Sequence, residues 1–209
     1  MKKLLTLITL VAATSAFAQG RVNFANSAAT LISAGGASTA ITDQYLYAIF
    51  LAPSTTVLAA GQSSSFTDPV FQTQGGSNVT QHATAIGRIA GVNGFDTGGA
   101  PGGTVDFIVR GWSANAGSTW AQALASWNNG APENPALAGL GGMFIGQSLV
   151  GNNILLGDGG AIGATTLFGA GATQVPGFNM AFVPLVPEPS SMALAGLGAA
   201  SLLLFRRRK

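Results

Sequence analysis

The chain of 209 residues has no cysteine and a single histidine, and only 8% of it is charged. Lysine occurs at Lys2, Lys3 and Lys209 and nowhere between. Each shortage excludes something. Without cysteine there are no disulfides, so a body of this chain must hold together by packing. Zinc sites built on Cys or on several His are excluded as well. His82 would have to serve any Ser-His-Asp arrangement, and no Gly-x-Ser-x-Gly elbow accompanies it. The Gly-rich stretch 139–146 is followed by no Walker lysine, and no Gly-x-Gly-x-x-Gly is present. The shortage of charge argues against long surface helices, which need Glu, Lys and Arg on the wet face.

What charge there is sits at the two ends. Met1, Lys2 and Lys3 precede an apolar stretch from Leu4 to Ala13, and Ala16-Phe17-Ala18 supplies small residues at positions −3 and −1 of a cleavage site. This is the three-part layout of a secretory signal peptide over residues 1–18, read by signal peptidase. The apolar run is too short to span about 30 Å of hydrocarbon. Cleavage after Ala18 would leave Gln19 as the mature N-terminus.

At the other end, Pro187-Glu188-Pro189 is followed by fourteen uncharged residues, 192–205, and then by Arg206, Arg207, Arg208 and Lys209. A helix of that length rises about 21 Å, short of a bilayer core. Thinning of the bilayer and snorkelling of the arginines would close much of the gap. The run is expected to be a weak single transmembrane helix, with the basic residues as a cytoplasmic stop-transfer cluster.

The middle is different. Residues 19–186 hold three arginines (Arg21, Arg88, Arg110) against Asp43, Asp68, Asp96, Asp106, Glu133 and Asp158, a formal charge of −3. The basic pI of the whole chain belongs to the targeting ends. No basic patch is left to meet phosphates, so nucleic acid is not an expected partner.

The C-terminal arrangement resembles the PEP-CTERM sorting signal of Gram-negative bacteria: a Pro-Glu-Pro motif in a stalk at 184–191, an apolar segment, and a terminal basic cluster at 206–209. The resemblance covers about residues 186–209. It implies recognition and processing by an exosortase, an integral-membrane enzyme, and a destination at the cell surface or beyond it. It also implies a host that makes extracellular polysaccharide, which becomes a candidate partner. Bodies carrying such tails are diverse, so the resemblance implies an address and no activity. The two prolines fix φ and remove N–H donors, which keeps the strip around Glu188 extended.

The exported body, residues 19–183, holds about one glycine in six, against an average of about 7%. That fits short strands and tight turns. Strands are expected at 22–25, 44–51, 82–89, 104–113, 143–150, 153–156 and 178–183. The stretch 44–51 is apolar throughout and reads as a central strand covered on both faces. In 104–113, Val105, Phe107 and Val109 alternate with Thr104, Asp106 and Arg110, which predicts one buried and one wet face. One helix is expected from Ser118, as N-cap, to Trp127, with Trp120, Leu124 and Trp127 on one face. Loops are expected at 61–65, 75–78, 91–103 and 132–142. The fold expectation is all-β: an antiparallel two-sheet sandwich of jelly-roll type with one short helix. A β-solenoid is the alternative that the glycine and asparagine content suggests.

Candidate chemistry in the body is thin. Asp96-Thr97-Gly98-Gly99 and Asp158-Gly159-Gly160 read as Asp-capped turns; calcium could use such oxygens, but no EF-hand or nonapeptide spacing is present. Trp112, Trp120, Trp127, Tyr45 and Tyr47 could stack on sugar rings if exposed. Helical spacing assigns Trp120 and Trp127 to the core. Trp112, placed with Asp106 and Arg110 on the expected wet face, is the candidate ligand-stacking residue. No catalytic residue, metal or cofactor is assigned. The expectation is a non-catalytic surface or matrix-associated protein, with a carbohydrate-binding module and then a secreted hydrolase as alternatives.

Overall fold

The computed structural model describes residues 20–38, 45–54, 59–71, 73–74, 80–81, 85–133, 142–184, 196–198 and 201. The expected signal peptide and cleavage site, the Pro-Glu-Pro motif and the terminal basic cluster lie outside the described residues, as does His82.

Two long strands form the centre. β4 (Tyr45–Pro53) and β8 (Thr104–Ser113) pair antiparallel over nine residue pairs, from Tyr45↔Ser113 to Pro53↔Val105. Alternation along each strand sends successive side chains to opposite faces. Here both faces are dry. Tyr45, Tyr47, Ile49, Phe107 and Val109 enter one core cluster; Ala48, Phe50, Ala52, Ile108 and Trp112 enter the other. The apolar run 45–51 is therefore covered on both sides, as its composition predicts. The expected wet face of β8 is not wet. Asp106 and Arg110 are fully buried, because the chain beyond each strand folds back over that face.

The remaining strands add to this pair in two sheets. β1 (Arg21–Phe24), β7 (Val92–Asp96) and β11 (Thr165–Thr166) make a three-stranded sheet with β1 in the middle. The other sheet has nine strands: β2 (Ser33–Ala34), β3 (Ala37–Ser38), β4, β5 (Thr73–Gln74), β6 (Thr80–Gln81), β8, β9 (Gly142–Gln147), β10 (Gly151–Leu155) and β12 (Asn179–Pro184). The small sheet contributes Val22, Phe24 and Phe95 to the core cluster that holds Tyr47 and Phe107. On the opposite face, helix α1 (Trp120–Asn129) supplies Trp120 and Ala123. The order of layers is thus small sheet, large sheet, helix.

The two-sheet, mostly β architecture with one short helix agrees with the expectation. The unequal sheets do not form a jelly roll's matched halves, and no solenoid is present among the described residues. Two pairings, β1 with β11 and β12 with β2, are parallel.

Local differences from the sequence expectation have physical reasons. Residues 92–96, expected as loop, form β7 because Phe95 is buried edge-on against Phe24, with centroids 5.4 Å apart. Residues 85–88, expected as strand, make a turn in which Gly87 takes φ 70°. The helix starts one residue late. Thr119, not Ser118, is its N-cap: its Oγ1 accepts from Gln122 N–H (3.3 Å), and Gln122 Oε1 accepts from Thr119 N–H (3.1 Å). Such a capping box contributes about 1 kcal/mol. Gly130, at φ 64°, ends the helix in the left-handed conformation that glycine adopts at little cost.

Two glycines are required by close approach. Gly151 lies opposite Phe107, and Gly111 opposite Tyr47, so each aromatic ring rests on a bare backbone. A methyl group at 151 would occupy the same space as the Phe107 ring, which is itself fully buried. Gly151→Ala should therefore destabilise the body by about 1–3 kcal/mol. Urea unfolding followed by tryptophan fluorescence checks this; an unchanged midpoint would contradict the packing described.

Candidate functional site

The densest polar construction in the body is built around Arg110. β8 places Asp106, Ile108, Arg110 and Trp112 on the face that looks toward α1. β4 brings Phe50 and α1 brings Trp120, and the guanidinium carbon lies 4.3 Å and 4.7 Å from these two ring centroids. The planar cation is held between two aromatic faces, a favourable electrostatic arrangement.

Its donors are spent on backbone and one amide. Nη1 donates to Phe71 O (3.0 Å), Nη2 to Ser65 O (3.5 Å) and Nε to Gln147 Oε1 (3.3 Å). Gln147, opposite Arg110 in β9, in turn donates to Ser64 O. Asp68 accepts from Ser64 Oγ (2.9 Å) and Val70 N–H (2.9 Å), closing the same loop. Arg110 and Gln147 together fasten the middle and end of the segment 59–71 to the sheet, and backbone bonds between Val150 and residues 61 and 62 hold its start. Phe66, on that segment, completes the aromatic set, 5.8 Å from Trp120 and 5.7 Å from Trp127.

Burial lowers the Arg110 pKa to about 10, with the Asp68 charge acting in the opposite direction. The group remains protonated at neutral pH. Because the folded pKa is the lower one, the desolvation cost is constant below about pH 10 and is relieved only above it. Arg110 therefore adds no pH dependence to stability in the neutral range. This arrangement locks a loop; it presents no reactive group to solvent.

Trp112, the candidate for stacking on a ligand, is fully buried. Its ring meets Trp120 edge-on at 5.7 Å, and its indole N–H donates to Gly117 O (2.9 Å). The expectation of partial exposure is corrected: the face it shares with Asp106 and Arg110 lies under α1 and the 59–71 segment. Tyr45 and Tyr47 are buried too, Trp120 is buried as its spacing predicts, and Trp127 is half-buried. Among the described residues the most exposed large aromatic is Phe182, 45% exposed. Its place in an ordinary alternating strand gave no sequence signal for that.

The acidic residues serve the backbone. Asp106 Oδ1 accepts from Asn153 N–H (2.9 Å), which holds a bulge where Asn153 takes φ 51°. Asp96 caps Gly98 N–H (2.8 Å). Asp158 caps Gly160 and Ile162 N–H (2.7 and 2.9 Å), and these bonds hold its carboxyl below the ordinary range. The expected Asp-capped turns are both formed. Among the described residues, no three His, Cys, Asp or Glu side chains come together as a metal site.

No helix among the described residues is long and apolar enough to cross a membrane. Of the expected transmembrane segment 192–205, residues 196–198 and 201 are described, and they are helical.

A family model described as the PEP-CTERM protein-sorting motif matches residues 185–209. The resemblance read from Pro187-Glu188-Pro189, the apolar run and the basic end thus holds over that stretch. Signals of this type are processed by exosortase, a membrane enzyme, in exported bacterial proteins. No curated protein matches the chain, and no solved structure does.

Replacing Arg110 with Ala should cost the body about 2–5 kcal/mol, because it empties an aromatic slot and strands the buried Phe71 carbonyl. Lysine keeps the charge without the planar fork, so Arg110→Lys should fall between Ala and the parent. Urea midpoints at pH 7 measure both. A midpoint for Arg110→Ala equal to the parent's would show that the loop is held by something else.

Proposed function

Starting from the sorting signal at 185–209, we propose that this chain is an exosortase substrate whose folded body is non-catalytic cargo for the cell surface or the extracellular polymer around it. The signal peptide at 1–18 starts export. The apolar run holds the chain in the membrane while Pro187-Glu188-Pro189 is processed, and Arg206 to Lys209 keep the end of the chain inside.

The observation that carries this reading is the match at 185–209. The chemistry of the body supports it. Its buried arginine fastens a loop, and Asp96, Asp106 and Asp158 cap turns and a bulge. The carbohydrate-binding alternative loses its best residue with the burial of Trp112. Two prolines around Glu188 restrict φ and withhold N–H donors, which suits the motif to recognition as a linear strip.

Changing Pro187, Glu188 and Pro189 to alanine should leave signal-peptide removal and export intact and abolish processing of the tail. Intact-mass analysis of the protein from its native host reads both events. A mass for the alanine variant that still shows the parent's tail processing would contradict the sorting role of the motif.

A further inference from the structure

β12 is the last strand of the body before the sorting signal in the sequence. It pairs with β9 from Ala181 to Pro184, while on its other side β2 reaches only Asn179 and Met180. The end of the strand is accordingly open: Ala181, Phe182 and Pro184 are exposed and Val183 is half-buried. Phe182 lies across from Phe144, with ring centroids 5.1 Å apart, and Phe144 continues edge-on to buried Tyr45 at 6.0 Å. Phe182 is the end of an aromatic ladder that starts in the core and finishes in solvent.

Only seven residues, 185–191, separate Pro184 from the start of the apolar run at Met192. Fully extended they reach about 25 Å. A body held by that run cannot move its β12 end farther than this from the hydrocarbon. The headgroup layer fills roughly 6 Å of the gap. The rest of the body offers a membrane little electrostatic attraction. It contains no lysine, Arg110 is buried, and its formal charge is negative. An aromatic ring is suited to the membrane interface without help from charge.

The geometry points to the open end of β12, led by Phe182, as a surface that rests on the lipid interface while the tail is anchored. The inference depends on the anchoring role proposed for 192–205. It adds that the body is held in one orientation, with β12 down and α1 away from the bilayer, so the processing enzyme meets Pro187-Glu188-Pro189 at a fixed height.

The chain lacks cysteine, so single cysteine reporters are clean. The full chain would be reconstituted in phosphatidylcholine vesicles with brominated acyl chains. A fluorescent label would sit at Pro184→Cys, two residues from Phe182 on the same face of β12, at Ala125→Cys on the exposed side of α1, or at Leu197→Cys in the tail. Labels at 197 and 184 should be quenched and the label at 125 should not. Adding Phe182→Ser should lower the docked-to-undocked ratio at 184 about tenfold. Quenching at 197 with none at 184 would overturn the lipid contact and leave the anchoring intact. A label at 184 that is shielded from water yet unquenched by bromine would overturn it in favour of contact with a second copy. No quenching at 197 would overturn the anchoring and this inference with it.

Discussion

The structure depends on one constraint: the β4–β8 pair must be covered on both faces. Neither strand has a wet side. Tyr47, Ile49, Phe107 and Val109 need the small sheet above them, and Phe50, Ile108 and Trp112 need α1 and the 59–71 segment below. Each such side chain contributes about 1.5–3 kcal/mol when removed from water. With no disulfide available, that burial is the main source of cohesion.

Arg110 is where the requirement meets a polar residue. A cation on a doubly covered strand would be costly if left unpaired. Here it becomes the fastening for one of the covers. It stacks between Phe50 and Trp120 and takes the carbonyls of Ser65 and Phe71, so burying the charge and closing the loop are one event. Asp106 repeats the pattern at the other end of β8, where its carboxylate holds the bulge at Asn153. Both residues read in sequence as a solvated face, and both are fixed parts of the interior.

That difference explains which features were legible beforehand. Hydrophobic runs and glycine punctuation report local structure, and they located β4, β8, α1, β10 and β12 within two residues. They also located the Asp-capped turns at Asp96 and Asp158. Whether a polar residue is wet depends on what folds over it from elsewhere. The return of 59–71 and α1 onto β8 is a long-range event that alternation along a single strand does not report. β7 was hidden for a related reason: Phe95 is its sole buried anchor among glycines, and only β1 makes it a strand. The tail was readable because a processing enzyme must recognise it as linear sequence, so its signal is local by necessity.

The result is a body built to be stable and a tail built to be read. Native-state hydrogen exchange tests the first of these most directly, since it resolves stability strand by strand. Amides of the β4–β8 ladder, from Ile49↔Val109 to Leu51↔Phe107, should exchange slowest of all and only through global unfolding, with the small sheet opening earlier. If the slowest amides instead lay in β1 and β7, or if the β4–β8 ladder exchanged as fast as they do, double coverage of the central pair would not be what holds the body together.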